Sequence, residues 1–260
     1  MLTLPSVSVL IPTFTRTRTL VEAMQSVLQQ DYPGNIEILI INDQPRQCLA
    51  YDKTTAPNIT VRIINCNDVF PSLGVKRHAM LGEARNDWVT FLDDDDLWMP
   101  WHLQKLHVLK SQPEVTAIFA AHHFTENLGV LSYGPVPGGI SSLFVKTNLA
   151  RFVGFDPKLN VGEDNAFRNE VERRAGVIAR PGGPSYIYRV TAPVLHISRS
   201  LRGIEVDRSI FLAHAEKLID TKVEPTGRIE LQPAWCIDYL DLVRRLFPET
   251  VPTSAQRKKA

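Results

Sequence analysis

The chain has 260 residues, 44% of them hydrophobic and 22% charged. That length and balance suit one large soluble globular domain or two small ones, with a sizeable core, and they exclude a disordered or fibrous chain. The net charge of +1 by itself says nothing about partners, although Lys and Arg outnumber Asp and Glu after residue 140, a mild bias that suits an anionic substrate and is too weak to imply nucleic acid.

Val7 to Ile11 is a continuous apolar run ended by Pro12, and predicts a buried parallel strand. Leu20, Ala23, Met24, Val27 and Leu28 then repeat at helical spacing, which predicts a helix over about 19–30. Asp31 to Asn35 stops it. Ile36 to Ile41 predicts a second strand closed by Asn42-Asp43, and residues 44–58 read as polar and irregular. Val61 to Ile64 predicts a third strand, 73–84 a helix, and Trp88 to Leu92 a fourth strand. A helix over 100–111 completes this half. The alternation argues for an open α/β sheet. Beyond it, strands are expected at 115–121, 129–133 and 185–190, with 140–145 apolar again. Helices are expected at 165–174, 204–220 and 233–246. Pro135, Pro137, Gly138 and Gly139 mark a turn or an active-site loop.

No apolar run approaches a membrane span, and the N-terminus lacks a charged region followed by a long apolar one. Cys48, Cys66 and Cys236 are odd in number and lack C-x-x-C spacing, which predicts free thiols in a reducing compartment. The expected location is cytoplasmic, with the inner membrane surface as the other station.

Three expected strand ends carry polar residues: Thr13 to Arg16, Asn42-Asp43, and Asp93 to Asp96. In a parallel sheet such ends share the edge where ligands bind. Four adjacent carboxylates repel one another unless a cation neutralises them, and a divalent metal is the natural hard partner for their oxygens. Asp43 is placed to accept from a nucleobase N–H or a ribose; its other reading is a strand-ending turn aspartate. His196, in an apolar run, is a candidate to complete the metal site or bind diphosphate, with Arg199 assisting; a core histidine is the alternative. Trp98 and Trp101 offer either a flat face for a sugar or simple core packing.

The pieces Val9 to Phe14 with Arg16, Ile40 to Asp43, Gly74 with Arg77, Phe91 to Asp96, Gly154 to Asp156 and Gly162 to Phe167 occur in the order of a known pattern. Over roughly residues 7–170 the chain resembles family 2 glycosyltransferases of the GT-A fold. The resemblance implies a Rossmann-type mixed open α/β sheet flanked by helices, with a helical C-terminal elaboration. It divides the chain into a catalytic domain over 1–200 and an extension over 201–260. Within the former, 1–112 would bind the nucleotide sugar and 113–200 the acceptor. The implied donor site is Pro12, Thr13, Phe14, Arg16, Asp43, Gly74, Arg77, Asp93 and Asp94. Asp95, with Asp93, would ligate Mn2+ or Mg2+ in an Asp-x-Asp motif. Asp164 would be the catalytic base, with Glu163 beside it; apart from the resemblance, Asp164 reads equally as a helix cap. The implied reaction is metal-dependent, inverting transfer from a nucleotide-diphosphate sugar, UDP-linked first, to a saccharide or other hydroxyl acceptor. A nucleic-acid base is the remotest acceptor. A sugar-phosphate nucleotidyltransferase and a non-catalytic nucleotide-sugar-binding module are the rivals. The loop from Pro12 to Arg16 has no glycine, which speaks against the first.

Overall fold

Two strands buried along their whole length form the middle of the main sheet. They are β1 (Val7–Thr13) and, after helix α1 (Thr17–Leu28), β2 (Ile36–Asn42). The computed structural model describes residues 4–135, 139–159, 161–190, 226–232 and 239–253, with Ser209 and Ala213. Next come β3 (Gln47–Ala50), β4 (Ile59–Asn65), α2 (Leu73–Glu83), β5 (Trp88–Phe91) and β6 (Leu97–Trp98). A 3-10 helix over Leu103–Lys110 stands within the span predicted as a helix from 100 to 111. Then follow β7 (Ala117–Phe119), β8 (His122–Asn127), β9 (Val130–Pro135), β10 (Leu143–Lys146), α3 (Thr147–Val153), α4 (Glu163–Arg174), β11 (Ile178–Ala179) and β12 (Tyr186–Val190). The last described elements are β13 (Thr226–Glu230) and α5 (Tyr239–Leu246).

The main sheet has seven strands in the order β11-β7-β10-β5-β1-β2-β4. β1 runs parallel to β2 and β5, and β2 parallel to β4, while β10 lies antiparallel to β5 and β7. This is the expected mixed open sheet. A second sheet, β6-β12-β8-β9, starts directly after the acidic run. Strand alternation divides the core. Val7, Val9 and Ile11 join Leu20, Met24 and Val27 of α1 on one side. Leu10 and Leu39 join Met80 of α2 and Phe155 and Phe167 on the other. Layers on both faces explain why β1 and β2 read as unbroken apolar runs.

Three local expectations are corrected. The span 44–58 contains β3, which pairs with β13; a four-residue strand recruited by a distant segment leaves little local signal. β8 was not expected because His122, His123, Thr125, Glu126 and Asn127 dilute its pattern; pairing to β9 and β12 makes it a strand. The short helix α3 was also missed. Of the helix expected over 204–220 only Ser209 and Ala213 are described, both helical; its other residues, and residues 233–238 of the last helix, fall outside the described residues.

Candidate active site

β1, β2 and β5 all end at one edge of the main sheet, so their polar ends meet there as expected. α4 is brought to the same edge by packing. Phe167, one turn into α4, lies 5.8 Å from the ring of Phe91 at the end of β5, and stacks at 4.1 Å on Phe155. Burying one such ring stabilises by roughly 2–3 kcal/mol, which anchors the start of α4 beside the acidic run. Gly74 allows the close fit. A Cβ there would stand 3.2 Å from the Leu159 carbonyl and 3.3 Å from that of Asp156. The structure therefore uses Gly74 for the approach of α2 to the loop before α4.

The four carboxylates are met by different sets of groups, with Arg16 shared between Asp94 and Asp95. Asp93, with a side chain 33% exposed, lies 2.5 Å from Arg77 Nη2. Asp94 accepts from Thr13 Oγ1 at 2.7 Å, and its Oδ1 is 2.7 Å from Arg16 Nη2 without hydrogen-bond alignment. Asp95 Oδ2 is 2.5 Å from Arg16 Nη1. Asp96 accepts from the Tyr186 hydroxyl at 2.6 Å and from the Arg189 N–H at 2.9 Å. Arg189 also bonds the Asp95 carbonyl and pairs with buried Glu22, tying α1 and β12 to the run. The repulsion among four acids is thus relieved by arginines from α2, β12 and the loop after β1.

Burial still dominates the acids. It raises the Asp94 carboxyl to about 6, against the pull of Arg16, and raises Asp96 well above the usual range. Burial opposes the charge of Arg16, yet Asp94 and Asp95 outweigh it and hold the guanidinium above its ordinary value.

Arg77 joins the acidic run to α4. It is 3% exposed, with Nη1 2.5 Å from Glu163 Oε1 and Nη2 on Asp93. Glu163 is buried, and burial raises it to about 7 despite Arg77. Asp164, half-buried, sits in the first turn of α4, and its Oδ1 accepts from the Asn165 N–H at 2.8 Å. The N-cap position belongs to Gly162, in the left-handed region, so Asp164 is not the helix cap. Asp43 is 2% exposed; it accepts from the Phe70 N–H at 2.9 Å and pairs with Lys76. Lys76 also donates to the Thr13 carbonyl at 3.0 Å. Pro12 is buried within β1, and Phe14 is half-buried with Lys76 Nζ 5.9 Å from its ring centre.

Sequence reading had not singled out Lys76, Glu22, Tyr186 or Arg189 for the site. Arg189 carried a signal, a charge inside an apolar strand. Trp98 is fully buried against His102 at 4.2 Å, and Trp101 is 6% exposed, its indole N–H donating to Pro184. Trp98 is therefore core packing. His196 and Arg199 lie outside the described residues.

Among the described residues no three His, Cys, Asp or Glu side chains form a ready metal cluster. A diphosphate-bound Mg2+ needs only one or two carboxylates, with phosphate and water oxygens completing the shell. Asp93 and Asp95 are hard donors of that kind, and buried Asp94 Oδ1 lacks an aligned donor, so the residues fit such an ion.

Residues 8–135 match the family described as Glycosyl transferase family 2. An uncharacterized glycosyltransferase of Haemophilus influenzae is 26% identical over 113 residues, 43% of this chain and 37% of that protein. A putative colanic acid biosynthesis glycosyl transferase of Escherichia coli K12 is 29% identical over 122 residues, 46% of this chain and 43% of that one. The matches thus span less than half the length of these curated relatives. In three dimensions the chain resembles S. aureus TarS 1-349 in complex with UDP-GlcNAc, with a TM-score of 0.58 at 15% identity over 82% of this chain and 70% of that one. It also resembles the mannosyltransferase PcManGT of Pyrobaculum calidifontis, with a TM-score of 0.54 at 16% identity over 83% and 70% of the two chains. Likeness at that identity speaks for the fold, which is the GT-A architecture. Over residues 8–135, from β1 through the acidic run to β9, the chain matches glycosyl transferase family 2, and the fold and the named relatives support that assignment.

Proposed function

We propose that the chain moves a sugar from a nucleotide-diphosphate donor, UDP-linked first, to an acceptor hydroxyl, with inversion at the anomeric carbon. The observation that carries this reading is the meeting of Asp43, Asp93 and Asp95 with α4 and its Asp164 at one sheet edge. TarS complexes with UDP and with UDP-GlcNAc favour uridine nucleotides, and the PcManGT complex with GDP-Man and Mn2+ makes guanosine the next candidate.

Asp43, fixed by Lys76 and the Phe70 N–H, is assigned to the nucleobase or ribose. Pro12, Thr13 and Phe14 border the nucleotide. Asp93 and Asp95 would hold Mn2+ or Mg2+, which when bound neutralises charge on the diphosphate. Asp164 takes the proton from the acceptor hydroxyl onto a carboxylate oxygen as that hydroxyl attacks the anomeric carbon. Attack opposite the departing diphosphate inverts the centre. Glu163, committed to Arg77, holds α4 in position. Arg77 does the same for Asp93, and acts on the donor through that carboxylate.

Among the described residues no helix is long and apolar enough to cross a membrane. The acceptor is a saccharide or another hydroxyl-bearing molecule. The test is a screen of UDP- and GDP-sugars for donor hydrolysis and transfer, with and without manganese. Turnover of one donor is the expected result; binding without turnover of any of them, with any acceptor offered, would replace the transferase by a binding module.

A further inference from the structure

Among the described residues, Arg16, Lys76, Arg77 and Arg189 stand around this edge, and the last three are committed elsewhere as well. Arg77 is buried and shared with Glu163. Arg189 is buried and paired with Glu22. Lys76 is buried on Asp43 and the Thr13 carbonyl. Arg16 differs. Its side chain is 23% exposed, and its guanidinium forks onto Asp94 and Asp95 at 2.7 and 2.5 Å. Its main chain is anchored separately, because its carbonyl accepts from the Leu20 N–H at 3.0 Å as α1 begins. The side chain can therefore leave without undoing the helix.

We propose that Arg16 is the resting counter-ion of the acidic run, displaced from Asp95 when a divalent cation arrives with the donor. This rests on the reading that such a cation sits on Asp93 and Asp95. A guanidinium and a divalent ion held on the same Asp95 carboxylate repel one another at close range, so the arriving ion weakens the Arg16 contact. The ion carries twice the charge, but alone it must strip Arg16 from Asp95 and leave one arm of the guanidinium without its carboxylate. A diphosphate changes the balance. It offers the guanidinium fork a pair of anionic oxygens of matching geometry. Metal and nucleotide then help each other to bind, and Arg16 couples them.

The test is Mn2+ binding measured by electron paramagnetic resonance of the free ion, with and without UDP, on wild type, Arg16→Gln and Arg16→Lys. Removing two charge-assisted contacts should tighten Mn2+ binding without nucleotide by about 10- to 100-fold in Arg16→Gln. UDP should then improve Mn2+ affinity less in the variant than in wild type. Arg16→Lys keeps a charge but loses the fork, and should fall between the two. It also serves if Arg16→Gln fails to fold by circular dichroism. Equal or weaker Mn2+ binding in whichever variant folds overturns the inference, while UDP-enhanced Mn2+ binding in wild type would leave the donor-site reading standing. Absence of Mn2+ binding in every protein, with and without UDP, overturns both the inference and the metal assignment.

Discussion

Replacing Arg77 tests how the acidic run and the base helix are held together. Arg77→Met keeps length and apolar bulk but removes the guanidinium. Glu163 is then buried with no counter-charge, whereas Asp93, one-third exposed, can rehydrate. Removing one partner of a buried pair costs about 3–5 kcal/mol, and the part-exposed arm adds under about 1 kcal/mol. Glu163 can limit the loss by taking a proton, since it already lies at about 7 with Arg77 present. The cost should therefore be near the full range at about pH 8 and smaller at about pH 6, where the carboxyl is neutral. Urea unfolding at both values measures this. The double variant Arg77→Met with Glu163→Met should recover most of the loss, because no buried charge remains. A single-variant cost under about 1 kcal/mol at the higher pH would refute the reasoning. So would a double variant no more stable than the single one.

Glu163 and Asp94 are raised in the folded state, so that state binds their protons more tightly than the unfolded chain, and stability falls as pH rises. The window is 4.5 to about 7 for Glu163 and 3.8 to about 6 for Asp94, and Glu163→Gln should flatten the upper part of that fall in urea titrations. Asp164→Asn should lower transfer on the order of 10²- to 10⁴-fold while leaving UDP affinity intact; normal transfer in a folded variant would move the base elsewhere. Asp95→Asn should abolish Mn2+-dependent donor binding by calorimetry, and unchanged manganese dependence would remove Asp95 from the ligands. Gly74→Ala pushes a Cβ against the Leu159 and Asp156 carbonyls, and should cost about 1–3 kcal/mol in thermal or urea melts; a neutral substitution would show that this contact gives way freely.

The sequence by itself determined the sheet and the edge that carries the site. Val7 to Ile11, Ile36 to Ile41 and Trp88 to Leu92 are apolar because both faces of those strands are covered, and that is a local signal. Their polar ends, at Thr13, Asp43 and Asp93, therefore fell on one edge without further information. The helical spacing of Leu20, Ala23, Met24 and Val27 likewise named the face that α1 buries. Only the tertiary structure decided which charge meets which. Arg16 and Asp95 lie 79 positions apart, Arg77 and Glu163 86, and Arg189 and Glu22 167. No periodicity encodes such pairs, because an ion pair depends on where two backbones pass one another. The acidic run thus read as a charge awaiting a metal, while the fold shows its acids already met by Arg16, Arg77 and the Tyr186–Arg189 segment. For the same reason Gly74 read as part of the donor site. Its role depends on the approach of the Leu159 backbone, which only the packing of α2 against the α4 loop creates.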